Sequence, residues 1–342
     1  QMAFWLRKKM KFDNFFNIEI KSKIIKTLNE SEINLLRDKT SFLIKLKRKI
    51  KFIFINFINR LPLKKKYIFH SRKLDRVEAK YDKIAGNYLD NYINKDNQTY
   101  IAKLNNNEVV EINMSHKNYI SSVISNVYEE TNSKSIFEVG AGELTTLFDS
   151  IKKIKKKNLV IDKIGALDLS FNRLKVGKDF FNENNFNIDY IAKANAEKIP
   201  FKSNSFDFVF TCHCLEQVPH LFQKIFKELL RVSRKYIILI EPSYEFGTPE
   251  TRDHIIKKGY LKITKNLLSS VGYNPIFREK FPVQKYINGS ELIIFEKKTV
   301  EINQPNFTVP GTDIELHIDN NLLVSKNKDN KYDFLSGIGV FE

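Results

Sequence analysis

One segment near the middle of the chain constrains the fold more than any other: Ser135-Ile136-Phe137-Glu138-Val139-Gly140-Ala141-Gly142-Glu143-Leu144-Thr145-Thr146-Leu147. It begins as a short β-rich apolar run, enters a turn with glycine at alternate positions, and leaves as a helical pattern. Gly140 and Gly142 allow a tight backbone turn and the close approach of a ligand, because neither carries a Cβ. Dinucleotide enzymes and ordinary chain corners also use a glycine turn, so its meaning rests on what surrounds it.

What surrounds it is a regular alternation. Apolar runs at 135–139, 164–169, 190–194, 206–211, 236–241, 275–281 and 292–297 predict seven strands. Helical patterns at 144–156, 171–181, 220–232 and 252–271 lie between them, the last closed by Gly272 as a C-terminal cap. Strands alternating with helices argue for βαβ units, a mainly parallel sheet and an α/β fold. The pattern divides the chain into a basic, glycine-free, helical extension at 1–70, a main domain at 71–298 and a small β-rich tail module at 299–342. Pro62 and Lys64-Lys65-Lys66 mark the end of the extension, since proline stops a helix and a run of like charge is solvated.

With 342 residues, 42% of them hydrophobic, the chain can bury a substantial core. The formal charge of +17 points to a polyanionic partner, but the chain is also crowded with Asn and Ile, a bias that A+T-rich coding produces with no binding function. Cys212 and Cys214 are too close for an easy disulfide and too few for a zinc site, so no metal site is expected. Phe4-Trp5-Leu6 followed by Arg7-Lys8-Lys9 lacks the features of a signal peptide, and a cytoplasmic location is expected. The stretch 50–61 falls short of the roughly 20 apolar residues that span a bilayer. As a helix over 41–61 it gathers Leu43, Leu46, Ile50, Ile53, Phe54, Phe57, Ile58 and Leu61 on one face, with Lys45, Arg48, Lys49 and Arg60 opposite. Such a helix either packs on the main domain or lies peripherally on the inner face of an anionic membrane.

Two further segments sharpen the glycine turn. Ala166-Leu167-Asp168-Leu169-Ser170 ends the second strand with a carboxylate at the sheet's carboxyl edge, where it can accept both hydroxyls of a ribose or cap the next helix. Asn195-Ala196-Glu197-Lys198-Ile199-Pro200-Phe201 is followed by Ser205-Phe206-Asp207-Phe208-Val209. In this order the segments resemble the class I S-adenosylmethionine-dependent methyltransferases, especially the branch acting on small molecules, sugars and quinone precursors. The resemblance covers about 81–298 and implies a Rossmann-like seven-stranded sheet with helices on both faces. Upstream, Tyr81-Asp82-Lys83-Ile84-Ala85-Gly86-Asn87-Tyr88 resembles the helix that the family places before its first strand, over the cofactor.

Carried over by residue, the resemblance implies that Glu138 anchors the turn and that Gly140, Ala141 and Gly142 underlie the methionine portion of S-adenosylmethionine. Asp168, with Leu169 beside it, would hold the ribose; Asn195 and Ala196 would border the adenine; Tyr81 and Cys212 complete the cofactor set. The sequence departs from the family at Leu144, where many members have a third glycine, at Asn195, where Asp is usual, and at Gln217, where His is frequent. A nicotinamide cofactor fits less well, because the third glycine of its fingerprint is missing.

Methyl transfer to oxygen or nitrogen demands little of the protein beyond positioning the acceptor and removing its proton. His213, in the turn after the fourth strand, is the first candidate base; His254 is the alternative, and Glu216 a further one. Each has a structural reading as well: a packed histidine, or a helix cap. The tail, with Tyr332-Asp333-Phe334 and Gly337-Ile338-Gly339, loosely resembles the zinc-ribbon-like partner of some transfer-RNA methyltransferases, or forms a β-hairpin covering a sheet edge. Similar extensions accompany methyltransferases of polysaccharide biosynthesis, which makes a sugar or lipid- or polysaccharide-linked glycan the expected acceptor. RNA is the alternative acceptor, and a catalytically silent scaffold the alternative to an enzyme.

Overall fold

The computed structural model describes residues 12–36, 74–93, 99–298 and 302–341. In chain order the elements are β1 (Ile24–Thr27), α1 (Leu74–Lys83), α2 (Asn87–Ile93), β2 (Thr99–Leu104), β3 (Val109–Asn113), α3 (His116–Glu130), β4 (Ser135–Val139), α4 (Thr145–Lys156) and β5 (Lys163–Asp168). They continue with α5 (Phe171–Glu183), β6 (Tyr190–Lys193), β7 (Phe206–Cys212), α6 (Phe222–Val232), β8 (Ser233–Pro242), α7 (Pro249–Lys258), α8 (Lys265–Ser269), β9 (Phe277–Lys280), β10 (Val283–Lys285) and β11 (Ser290–Glu296). The tail supplies β12 (Leu316–Asp319), β13 (Leu322–Ser325), β14 (Lys331–Leu335) and β15 (Ile338–Val340).

The main sheet runs β6-β5-β4-β7-β8-β11-β9, and β11 is antiparallel to both of its neighbours. This is the α/β architecture that the alternation of runs predicts. Strands β4 and β7 are buried along both faces, which is why they read as unbroken apolar runs rather than alternating ones. Successive side chains feed opposite layers: Ile136, Phe208 and Ile238 pack with α3, α4 and α5, whereas Phe137, Val209 and Leu239 pack with α6. Sequence-local caps start the helices, with Ser115, Ser170, Thr248 and Thr264 each accepting a hydrogen bond from the backbone N–H three residues on. Asp207 lies at the amino end of β7, away from the carboxyl edge. Its carboxylate accepts from Arg234 Nε at 2.6 Å and from Lys134 N at 2.9 Å, so it locks strand starts together.

Two expectations are corrected. The helix expected over 252–271 is two helices, because Gly259 takes a left-handed φ of 65° that ends α7, and Leu261 and Ile263 are then buried in irregular chain before Thr264 caps α8. The helix expected over 81–88 is broken at Gly86, φ 94°, into the end of α1 and the start of α2. The helix directly preceding β4 is α3. The amphipathic stretch 41–61 lies outside the described residues. Among the described residues, no helix is long and apolar enough to cross a membrane.

Two additions frame the main sheet. A four-stranded accessory sheet, β1-β3-β2-β10, joins a segment from the N-terminal region to the β2–β3 hairpin and to the link between β9 and β11. Phe15 anchors this region, fully buried with its ring edge-on to Phe277 at 5.2 Å. At the other end, β12 to β15 form an antiparallel run whose last strand pairs in parallel with β6, Gly339 opposite Ala192 and Val340 opposite Lys193. The β-rich tail therefore continues the main sheet, sealed by an aromatic cluster in which Phe307 stacks on Phe201 at 5.3 Å.

Candidate active site

A cavity of about 730 Å³ opens at the carboxyl ends of β4, β5, β6 and β7, the crevice where open α/β sheets bind ligands. Its lining brings together Tyr81, Glu138, Gly140, Ala141, Asp168, Leu169, Asn195, Ala196, Cys212 and His213, all singled out from the sequence. Gly142 and His254 are not part of the lining. Gly142 lies behind it, under the guanidinium of Arg173, and His254 is half-buried with its ring edge-on to Tyr260, which does line the cavity.

The floor is the glycine turn. Gly140 has φ 78°, and a Cβ there would lie 2.2 Å from Cys214 Sγ and 2.5 Å from Cys214 Cβ, so backbone conformation and close packing both require glycine. Leu144, at the position of the family's third glycine, is fully buried yet holds a left-handed φ of 58°. The turn thus keeps its geometry without the glycine, at a strain of about 1–2 kcal/mol. Gly140 N and Ala141 N donate to Leu167 O, and Gly142 N donates to Asp168 Oδ2 at 2.8 Å. The other oxygen of Asp168 accepts from Ser170 N at 2.9 Å. Each carboxylate oxygen retains acceptor capacity toward the cavity.

Glu138 is buried, and one of its oxygens, Oε2, has no hydrogen-bond partner. Burial, with the charge of Asp168 added, pushes its carboxyl well above the usual range. Lys117, on the first turn of α3, donates to Thr145 Oγ1 at 2.7 Å and also lines the cavity. Desolvation lowers its pKa, partly offset by Glu143. Asn195 is committed to its own loop, accepting from Glu197 N at 2.9 Å and donating to Glu197 Oε1 at 3.1 Å.

Helices α1 and α2 form a cover. Arg173 lies between the rings of Tyr81 and Tyr88, 5.0 Å and 4.9 Å from their centroids, and its Nε sits 3.4 Å from Glu143 Oε1. Glu143 also accepts from Leu89 N at 2.6 Å, which fastens α2 to the glycine turn. Burial raises the Tyr81 phenol to about 12, so it stays a hydroxyl donor.

At the opposite end of the cavity the turn after β7 carries His213, itself left-handed at φ 53°. Strain in a non-glycine residue is characteristic of functional sites. His213 Nε2 is 2.8 Å from Ser290 Oγ, and its Nδ1 is 3.4 Å from Glu216 Oε2. Burial by itself would lower the pKa of His213; the hydrogen bond and charge of Glu216, reinforced by Glu241, outweigh it and hold the value above the ordinary one. Glu241 is fully buried and accepts from Thr211 Oγ1 and from the backbone N–H groups of Cys214, Leu215 and Glu216, so one carboxyl organises the whole turn. Burial raises the Glu241 carboxyl to about 7. Burial also pushes up the thiols of Cys212 and Cys214, which makes them poor nucleophiles.

Several of these groups escape a reading of the sequence. Glu143 and Arg173 stand next to recognised motifs and could have been found by asking what covers the turn. Lys117, Asn288 and Ser290 carry no local signal, because they reach the site through α3 and through the link from β10 to β11.

Parallel strands, a glycine turn after the first and a carboxylate after the second define a protein that holds a nucleoside-bearing cofactor in its crevice. Residues 139–239 match the family model described as a methyltransferase domain. Solved structures with a similar chain path include a SAM-dependent methyltransferase from Aquifex aeolicus, 18% identical, covering 51% of this chain and 88% of that one, with a TM-score of 0.38. Another is magnesium protoporphyrin IX methyltransferase from Synechocystis PCC 6803 with bound SAH, 12% identical, covering 54% and 83%, with a TM-score of 0.41. No curated protein matches the chain. The chain carries a class I S-adenosylmethionine-dependent methyltransferase domain. The residues present fit that cofactor: an unpartnered Glu138 oxygen, a glycine cradle that a Cβ would fill, and a carboxylate at the ribose position.

Proposed function

We propose that the enzyme methylates a hydroxyl or amine of a small polar acceptor, of the sugar or lipid- or polysaccharide-linked glycan class, with His213 as the base. The observation that carries this reading is the place of His213 in the cavity lining with the Glu216 carboxylate 3.4 Å from its Nδ1, where it would stabilise the imidazolium formed on taking a proton. Glu216 at Nδ1 favours the tautomer in which Nε2 is the proton acceptor, a position that the Ser290 hydroxyl holds and would yield to the acceptor, and Glu241 keeps Glu216 in place through the turn.

In the cofactor half, Asp168 would accept the ribose hydroxyls, Asn195, Ala196 and Leu169 would border the adenine, and Gly140 and Ala141 would underlie the methionine. Glu138 would receive the amino group and Lys117 the carboxylate of that methionine, with Tyr81 and Cys212 closing the sides. Bound S-adenosylmethionine supplies a methyl group already activated on a sulfonium. The protein's own work is then to orient the acceptor and take its proton on His213. The amphipathic pattern at 41–61 supports access to acceptors at a membrane surface.

Incubating the full chain with radiolabelled cofactor and fractionated cell extract tests this reading. Label should enter the polar small-molecule or glycan fraction. Label confined to RNA, or no label in any fraction, would refute it.

A further inference from the structure

The acceptor end of the cavity is built by parts lying outside the seven-stranded sheet. Strand β10 belongs to the accessory sheet, pairing with β2 so that Lys285 stands opposite Ala102. The chain then runs to Asn288 before returning to the main sheet at Ser290. This link is firmly held: Tyr286 N donates to Ile101 O at 2.9 Å, Gly289 N to Thr251 Oγ1 at 3.1 Å, and Ser243 N to Gly289 O at 2.9 Å. Asn288 adopts φ 68°, a conformation that asparagine tolerates, and its Nδ2 reaches His213 Nδ1 at 3.3 Å and Glu216 Oε2 at 3.4 Å. From the other side, the first residue of α3, His116, sets its ring edge-on to His213 at 6.2 Å.

Two polar atoms here are sealed from solvent without a hydrogen-bond partner, His116 Nε2 and Asn288 Oδ1, and both residues line the cavity. A buried polar atom left unpaired costs about 1–3 kcal/mol, so a ligand that pairs them is favoured. Lys285 lines the same end, exposed, with no carboxylate paired to it among the described residues. Its charge reaches the rings of His116, His213 and His254 and works against their protonation. Glu216, a carboxylate lining the same cavity, is already engaged by His213, Gln217 and Asn288.

We infer that this end of the cavity is a subsite for an acidic sugar, a hydroxylated ring bearing a carboxylate or phosphate, in which Lys285 meets the anionic group while His116 Nε2 and Asn288 Oδ1 bond ring hydroxyls. The inference rests on the small-acceptor reading above and narrows it. An unpaired ammonium at the mouth of a partly enclosed cavity discriminates charge, whereas neutral donors and acceptors deeper in fix orientation.

The test uses the full chain saturated with S-adenosylhomocysteine and titrated calorimetrically with glucuronic acid, glucose 6-phosphate and glucose. At least one acidic probe should bind about tenfold or more tightly than glucose, a difference of about 1.4 kcal/mol, and which one binds separates carboxylate from phosphate. Lys285→Ala should erase that preference and Lys285→Arg should keep it, with the affinity for S-adenosylhomocysteine unchanged in both. Equal binding of glucose and the acidic probes, no binding of any probe, or a preference that survives Lys285→Ala overturns the subsite. Transfer of radiolabelled methyl is scored separately. A Lys285-dependent preference without transfer to any small acceptor would uphold the subsite and refute the methylation reading, and transfer to neutral sugars indifferent to Lys285 would do the reverse.

Discussion

Gly140→Ala should damage the fold and the cofactor site together, by an amount that can be divided into two causes. The new Cβ would sit 2.2 Å from Cys214 Sγ and 2.5 Å from Cys214 Cβ, and the backbone would have to keep φ 78°. Holding an alanine in the left-handed region costs about 1–2 kcal/mol, and overpacking a closed contact costs about 1–3 kcal/mol, so a loss of about 2–5 kcal/mol is expected. Cys214→Gly removes both offending atoms, and the nearest one left is the Cα at 3.6 Å, an ordinary contact. The double variant should therefore recover the overpacking part, about 1–3 kcal/mol, and retain the conformational part. Urea unfolding of the wild type, both single variants and the double variant supplies the cycle, and calorimetric titration with S-adenosylhomocysteine follows the site in parallel. A coupling energy near zero would refute the steric account of why glycine stands there.

Four further outcomes are expected. Asp168→Ala should weaken S-adenosylhomocysteine binding by about 1.5–3 kcal/mol in titration calorimetry, since hydrogen bonds to a charged acceptor are lost and Gly142 N is left without its partner. If His213 is the base, methyl transfer should rise with pH through a value above the ordinary histidine range, and Glu216→Gln should move that limb to lower pH by removing the charge that raises it. Glu138→Gln should raise the thermal midpoint at about pH 8 and leave it nearly unchanged at about pH 4, because a carboxyl whose pKa is raised in the folded state loses stability only as pH climbs past its unfolded value. Truncation of the chain before β12 should expose the edge of β6 and the ring of Phe307, which loses Phe334 and Phe341, and light scattering should report self-association.

The sheet was legible because each buried strand is a short apolar run bounded by turn residues, and the cofactor half because its residues cluster within a few positions of those strand ends. Asp168 is the last residue of its strand, and Gly140 and Asn195 sit one and two residues past theirs. The helix expected over 252–271 has a physical cause: Leu261, Leu268 and Val271 continue a helix-like spacing although Gly259 has already ended the helix, so periodicity outlasts it. The accessory sheet left no trace in the sequence, since it joins residues 24–27, 99–113 and 283–285 and no local pattern records such distant pairing. For the same reason Lys117, His116 and Lys285 went unnoticed while His213, beside a strand end, did not. The departure at Leu144 was legible as a substitution; that it preserves a glycine-like backbone was not, because left-handed geometry belongs to the turn and not to the residue.

The parallel pairing of β15 with β6 has a consequence for how the pocket comes into being. The loop from Asn195 to Phe201 is pinned from outside, with Thr308 N on Pro200 O and Gly311 N on Ile199 O, and Phe341 N holds Lys193 O at the end of β6 just before it. During synthesis the ribosome releases that loop long before the residues that pin it, so a nascent chain can complete its central strands and still present an unfinished adenine wall. A chain that has lost its tail would keep every residue that lines the cavity, none of which lies beyond Asn288, and lose the pins that hold the adjoining loop in place.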